Sequence, residues 1–249
     1  MQYSTCAVFV GSPELAGRVV AAMTVTVDEF EVADPTDAWT RAGFSVDSGG
    51  DAAPVCRIGG VGIRLVGRGR GTGIVGWSLR GLPPDSSLDD LDGVPTTRSR
   101  PGGDIGPRSS AVTATPATHA NGVTAIDHVV LLSPDLSRTV EALAAIGVNP
   151  RRERDGELGE RPIRQIFFRL GEVIVEVVGS PGTASEGPST LWGITYVVAD
   201  IDVTASFFGG RTTPVKEAVQ PGRRITTLQH HELGMSVRSA MISAPIRDR

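Results

Sequence analysis

The amino-acid sequence predicts an α+β fold built from a repeated strand–helix–meander module, and three observations carry that prediction. Ala125–Leu132 and Val173–Val178 are β-branched and aliphatic runs of strand length. A capped helical stretch lies between them, and a tight turn precedes the second. The same order of elements returns further along the chain.

Each element has a local reason. Ala125–Leu132 (AIDHVVLL) reads as an opening strand. Asp135 or Ser133 can cap a helix that runs to Ile146 and stops at Gly147. Pro162–Leu170 and Val173–Val178 make a hairpin around Gly171-Glu172. Trp192–Ala199 opens a second module, followed by Asp200 and a short helix through Phe208. Arg224–His231 and Met235–Ile242 close it as a hairpin around Gly234.

A fainter copy lies in the N-terminal half. Arg57–Gly67 (RIGGVGIRLVG) aligns without gaps on Arg169–Gly179 (RLGEVIVEVVG), and Gly73–Leu82 matches the apolar pattern of Leu191–Ile201. Its opening strand is either Thr24–Val32, or Thr5–Val10 followed by a helix over Glu14–Met23. The intervening stretch Arg98–Asn121 is rich in Pro, Gly, Ser, Thr and Ala and reads as a linker. The expected organisation is therefore a degenerate half over 1–98, a linker over 99–122, and a half carrying the candidate site over 123–249.

Composition excludes several classes. At 249 residues the chain can bury proper cores, and a formal charge of −4 argues against nucleic acid as a partner. No apolar run reaches the roughly 20 residues of a membrane span. The N-terminal stretch lacks the basic region of a signal peptide, so a cytoplasmic location is expected. Cys6 and Cys56 have no CxxC spacing and read as reduced thiols. The paired glycines Gly59-Gly60 and the Gly71/Gly73 group are turns, because no Lys-Ser/Thr follows as a phosphate loop requires. There is no GxSxG nucleophile motif.

The residues that could carry chemistry interrupt the apolar strands. His128 and Glu176 are costly to bury unless something neutralises or ligates them. Val173, Val175 and Val177 form one apolar face, which leaves Glu176 on the other with Ile174 and Val178. The Leu170/Val173 register places Phe167 opposite Glu176. In the last hairpin, Leu233 opposite Ser236 would place His230 opposite Ser239. Arg223-Arg224, after Pro221-Gly222, offer guanidinium forks for an anion.

At this point the residues resemble the vicinal-oxygen-chelate superfamily, which includes glyoxalase I, bleomycin-resistance proteins and extradiol dioxygenases. The resembling parts are Ile126–Leu136 (IDHVVLLSPDL), Phe167–Val178 (FFRLGEVIVEVV) and Ile194–Ile201 (ITYVVADI). Gln220–Leu228 (QPGRRITTL) also resembles actinobacterial glyoxalase-like proteins. The resemblance implies βαβββ modules paired into two cup-shaped, mainly antiparallel sheets, with metal ligands, in the metal-dependent members, on the first and last strands of each module.

Carried over residue by residue, His128 falls on a first-strand ligand position and Glu176 on a last-strand one. The corresponding positions of the last module are Gly193 and Ser239, and those of the N-terminal half are Thr24, if Thr24–Val32 is its opening strand, and Arg64. With His230 as replacement, the set His128, Glu176 and His230 suits one divalent metal: Fe, Mn, Zn or Ni. Glu176 would be catalytic, with Arg223, Arg224, Phe167 and Ser239 on the substrate. The expected function is a small-molecule-binding protein of the glyoxalase/bleomycin-resistance kind with a degenerate metal site. The alternative is a divalent-metal-dependent lyase, isomerase or dioxygenase acting on an oxygen-rich small metabolite. The expected partner is a small-molecule ligand, and the expected state is a monomer or homodimer.

Overall fold

The computed structural model describes residues 24–49, 53–84, 88–99 and 118–245. Its N-terminal half contains β1 (Thr26–Val32), α1 (Thr36–Arg41), β2 (Val55–Ile58), β3 (Val61–Leu65), β4 (Ile74–Arg80), β5 (Asp90–Leu91) and β6 (Val94–Arg98). These strands form a six-stranded sheet ordered β2-β3-β1-β4-β6-β5. The C-terminal half contains β7 (Val123–Leu132), α2 (Leu136–Ala145), β8 (Arg152–Leu158), β9 (Arg161–Leu170), β10 (Val173–Gly179) and β11 (Thr190–Val198). It continues through α3 (Ile201–Phe208), β12 (Lys216–Glu217), β13 (Arg224–Thr227) and β14 (Arg238–Ser243). Its eight strands run β12-β13-β14-β11-β7-β10-β9-β8.

The repeat is visible in the pairing. In both halves a closing strand lies parallel to an opening strand, β3 on β1 and β10 on β7. The two opening strands of each half then pair antiparallel, β4 with β1 and β11 with β7. Thr26–Val32 is thus the N-terminal opening strand; the rival segments Thr5–Val10 and Glu14–Met23, like Cys6, lie outside the described residues. Caps set the helices where the sequence marks them. Asp135 accepts from the Arg138 amide, and Asp200 accepts from the amides of Asp202 and Val203.

One continuous core runs through both halves, from Phe30, Trp39 and Trp77 to Phe168, Tyr196 and Phe208. The Cys56 thiol lies in it, and burial pushes its pKa up to about 12, so it is an inert apolar group. Direct bonds also stitch the halves. Glu172, in the β9–β10 turn, accepts the Gly60 amide of the β2–β3 turn at 2.6 Å, so the two aligned segments touch at their tips.

His119 makes a similar tie. Its Nδ1 accepts the Ser45 amide at 3.0 Å, and its Nε2 faces the Arg57 carbonyl at 3.1 Å. A neutral ring protonated on Nε2 satisfies both partners, whereas protonating Nδ1 breaks the Ser45 bond. Burial holds the His119 pKa below its ordinary value, and the Arg57 carbonyl only partly opposes this. His230 is lowered too, first by burial and then by His231. A depressed folded-state pKa means that the unfolded chain binds the proton more readily. The contribution is therefore complete above about pH 6.5 and is lost as pH falls through that value. The unfolding free energy in urea should accordingly drop between about pH 7.5 and about pH 5.5. His119→Gln should be less stable at the upper pH but show a flatter decline; an equally steep decline would remove His119 from this account.

Candidate active site in the C-terminal cup

The register of the eight-stranded sheet brings two rows of side chains onto its concave face. One row runs Arg152, Phe167, Glu176, Val130, Gly193, Arg238 across β8, β9, β10, β7, β11 and β14. The other runs Arg169, Ile174, His128, Thr195, Ala240 from β9 to β14. His128 and Glu176 therefore sit on neighbouring strands, and His128 Nε2 lies 3.4 Å from Glu176 Oε2. The opposite face, with Val129, Leu131, Val175 and Val177, is fully buried. This is the division that the alternation of β10 implies.

A β-bulge completes the site. Thr195 pairs with His128 but Tyr196 pairs with Ile126, so Asp127 has no partner on β11. The extra residue turns Asp127 and His128 to the same cavity, where strict alternation would have sent them to opposite faces. Asp127 Oδ2 lies 2.8 Å from His128 Nδ1, and Thr195 Oγ1 lies 3.0 Å from His128 Nε2. Asp127 Oδ1 accepts Arg223 Nη1 at 2.7 Å. Burial would raise the Asp127 pKa, but the hydrogen bonds from His128 and Arg223 outweigh it and hold the carboxyl below the usual range. On the far side, Gln165 donates to Glu176 Oε1 and itself accepts Arg154 Nε at 2.8 Å. The cavity holds about 540 Å³. Besides this constellation, Phe167, Arg151, Arg152 and Arg169 line it.

Several expected site residues stand elsewhere. The last hairpin pairs Thr227 with Ala240, a shift of two residues from the expected register. The chain leaves the ladder after Leu228, whose amide bonds the Ser239 carbonyl at 2.9 Å, and turns through a 3-10 segment, His230–Leu233. Gly234, at φ +77°, closes that turn. His230 consequently lines an adjacent cavity of about 500 Å³ with Trp192 and Arg238 and does not line the cavity of His128 and Glu176. Ser239 pairs with buried Ile194, and its hydroxyl bonds the Val237 carbonyl; it lines the cavity of His230 with Arg238 and Ala240, and not that of His128 and Glu176.

The arginines also depart from expectation. Arg223 is 6 % exposed and braces Asp127 and the Ser243 carbonyl from behind the cavity wall. Arg224 is paired with Asp202 at 2.6 Å, tying β13 to α3. In the N-terminal half, the pairing of Glu29 with Gly62 corresponds to that of His128 with Ile174. Glu29, not Thr24, thus stands where His128 does. Arg64, the counterpart of Glu176, bonds Glu29 at 2.8 Å, so an ion pair replaces the histidine–carboxylate pair.

The donor set does not fit a metal ion. His128 and Glu176 supply two protein ligands where catalytic sites use three, and His230 does not join them. Among the described residues no group of three or more His, Cys, Asp and Glu side chains is placed to hold an ion. A ligand cannot simply be added at Gly193 either. A Cβ there would meet the Arg238 carbonyl oxygen at 2.8 Å, which is backbone and cannot swing away.

Asp127 is the central residue that sequence reasoning missed, along with Thr195, Gln165 and the arginines that line the cavity. The signal for it was its place next to His128 in an apolar strand, since an adjacent pair of polar residues breaks alternation and suits a bulge. The bracing by Arg223 leaves no such local trace.

No protein-family model matches this chain, and no curated protein does. Solved structures do. A xylose isomerase-like TIM barrel/4-hydroxyphenylpyruvate dioxygenase fusion protein is similar with a TM-score of 0.59 at 13% identity, covering 92% of this chain and 50% of that one. This chain thus spans half the length of that structure. A mutant of 4-hydroxymandelate synthase from Streptomyces coelicolor has a TM-score of 0.54 at 15% identity, with 92% and 94% covered. Methylmalonyl-CoA epimerase from Streptomyces coelicolor covers half the chain, at 51% and 99%, with a TM-score of 0.38 and 19% identity. The fold is the one that these two solved structures share. No helix among the described residues is long and apolar enough to cross a membrane.

Proposed function

We propose that this chain, with its vicinal-oxygen-chelate fold, binds a small oxygen-rich anion in the C-terminal cup and moves a proton on it, as an isomerase or lyase does. One observation carries the reading: the bulge at Asp127 builds an Asp127–His128–Glu176 chain that ends inside a cavity rimmed by arginines.

The roles follow from the contacts. A proton on His128 Nδ1 is held by Asp127, whose ionised form Arg223 secures. That leaves Nε2 to exchange a second proton with Glu176 or with a substrate oxygen. Glu176 takes the proton from the carbon next to a substrate carbonyl. The electron pair moves onto the carbonyl oxygen, which accepts a hydrogen bond from protonated Nε2. Returning the proton to carbon restores both groups. The Asp127 carboxylate stabilises the imidazolium while the enolate exists.

The test is wash-in of solvent deuterium at the carbon next to the carbonyl in 2-oxobutyrate and 2-oxoglutarate, followed by proton NMR. Wild type should exchange, and His128→Gln should lose about 100-fold or more. Equal exchange in the two would sink the reading. A second reading is binding without chemistry, favoured by the way Thr195 and Gln165 already satisfy His128 and Glu176. It stands if these acids bind but never exchange. Stoichiometric divalent metal in the purified protein, lost in Glu176→Ala, would instead restore the metal-dependent alternative.

A further inference from the structure

The cavity that holds His128 and Glu176 has an uneven distribution of charge. Arg151, Arg152, Arg154 and Arg169 line it, in a chain whose formal charge is −4. Arg164 is neutralised by Asp155 at 2.7 Å and Arg224 by Asp202 at 2.6 Å, whereas Arg161 and Arg211, outside the cavity, have no carboxylate partner among the described residues; what sets the cavity apart is that four arginines line one space. Among the described residues Arg151, Arg152 and Arg169 have no carboxylate partner, and Arg154 bonds only the neutral amide of Gln165. Arg152 lies over the ring of Phe167, 5.9 Å from its centroid, so its stem is laid along the cavity wall.

The sheet register turns this cluster into a ruler. Arg169 shares a row with His128 two strands away, and Arg152 shares a row with Glu176 two strands away. Adjacent strands are about 4.8 Å apart, so backbone to backbone Arg152 stands about 10 Å from Glu176 and Arg169 about 10 Å from His128, with Arg169 on the strand next to that of Glu176. Three unpaired guanidinium forks exceed what a single carboxylate can satisfy. They match a group with two negative charges and three terminal oxygens.

We propose that Arg151, Arg152 and Arg169 form a phosphoryl-binding subsite, so that the molecule handled at His128 and Glu176 carries a phosphate-ester tail reaching from its reacting carbon toward β8 and β9. This substrate class rests on the proton-transfer reading of the same cavity, but the subsite can be tested without catalysis.

The experiment is calorimetric titration of the full chain with inorganic pyrophosphate, using chloride-matched buffers and sulfate and acetate as comparison anions. Pyrophosphate should bind wild type at least tenfold tighter than acetate and tighter than sulfate. Arg151→Ser/Arg169→Ser should weaken it at least tenfold, while Arg164→Ser, at a guanidinium paired with Asp155, should leave it unchanged. Equal affinity for acetate and pyrophosphate overturns the subsite in the wild type alone, whatever the variants do. Unchanged pyrophosphate binding by a double variant with wild-type circular dichroism overturns it as well. Retained pyrophosphate binding in a protein that shows no deuterium exchange would keep the subsite and remove only the proton-transfer reading.

Discussion

Asp127→Asn should slow the proton exchange about 100-fold or more while leaving a folded protein. The carboxylate serves two donors at once, Arg223 Nη1 on Oδ1 and His128 Nδ1 on Oδ2. An amide has one acceptor oxygen. Arg223 is 6 % exposed and cannot reach water, so it should keep that oxygen. The amide NH₂ then faces His128 Nδ1 and forces the proton onto Nε2. A ring in that tautomer has no lone pair toward the cavity, and its imidazolium has lost the nearest counter-charge. The loss of one charge beside buried Arg223 should also cost about 1–3 kcal/mol of stability. Nitrogen-15 NMR of the ring reports the tautomer directly, and deuterium wash-in reports the rate. An unaltered tautomer together with an unaltered rate would remove Asp127 from the mechanism.

The second large effect concerns the joint between the halves. Asp92 lies in the turn between β5 and β6, with its side chain 2 % exposed. It accepts from Arg138 and Thr139 of α2, and from the Ser189 hydroxyl at 2.5 Å just before β11. Three donors from the C-terminal half therefore converge on one carboxylate of the N-terminal half. Asp92→Ala should cost about 2 kcal/mol, because buried Thr139 and Ser189 lose the carboxylate they share and keep weaker neutral partners such as the Asp135 carbonyl and each other. The figure stops short of that for a fully buried pair, since the Arg138 side chain is 41 % exposed and can turn to water. Asp92 is also the one non-glycine residue with positive φ among the described residues, at 52°. Asn tolerates that conformation, so Asp92→Asn should lose less than Asp92→Ala. Urea unfolding midpoints check the order. A loss under about 0.5 kcal/mol for Asp92→Ala would show that the cluster contributes little.

Much of the fold was legible because it is written in short-range patterns. β7 and β10 declare themselves by β-branched runs, α2 and α3 by their Asp caps, and the β9–β10 turn by Gly171. β5, β6 and β12 were not predicted, and the longest unpredicted strand is β8, Arg152–Leu158, whose sequence RERDGEL has no apolar alternation. It is an edge strand with charged side chains on both faces, the composition that keeps an edge from pairing with another chain. That composition hides the strand from a hydrophobic pattern, and with it the arginines that rim the cavity.

The sequence by itself determined the module order, the apolar and polar faces of β10, and the placing of Glu176 toward the concave side, because each depends on residues within a few positions of one another. Tertiary structure alone decided three things. The bulge that brings Asp127 beside His128 arises from how β7 pairs with β11, some 67 residues away in the pair Thr195 and His128. The register of β13 on β14 was decided by where the chain leaves the ladder for its 3-10 turn, and that moved His230 out of the site. Arg223 became the support of a buried carboxylate because the residue just before β13 reaches Asp127 of β7, although β14 and β11 separate those strands in the sheet. Cross-strand register is a long-range quantity, and a shift of one or two residues redirects every side chain that follows.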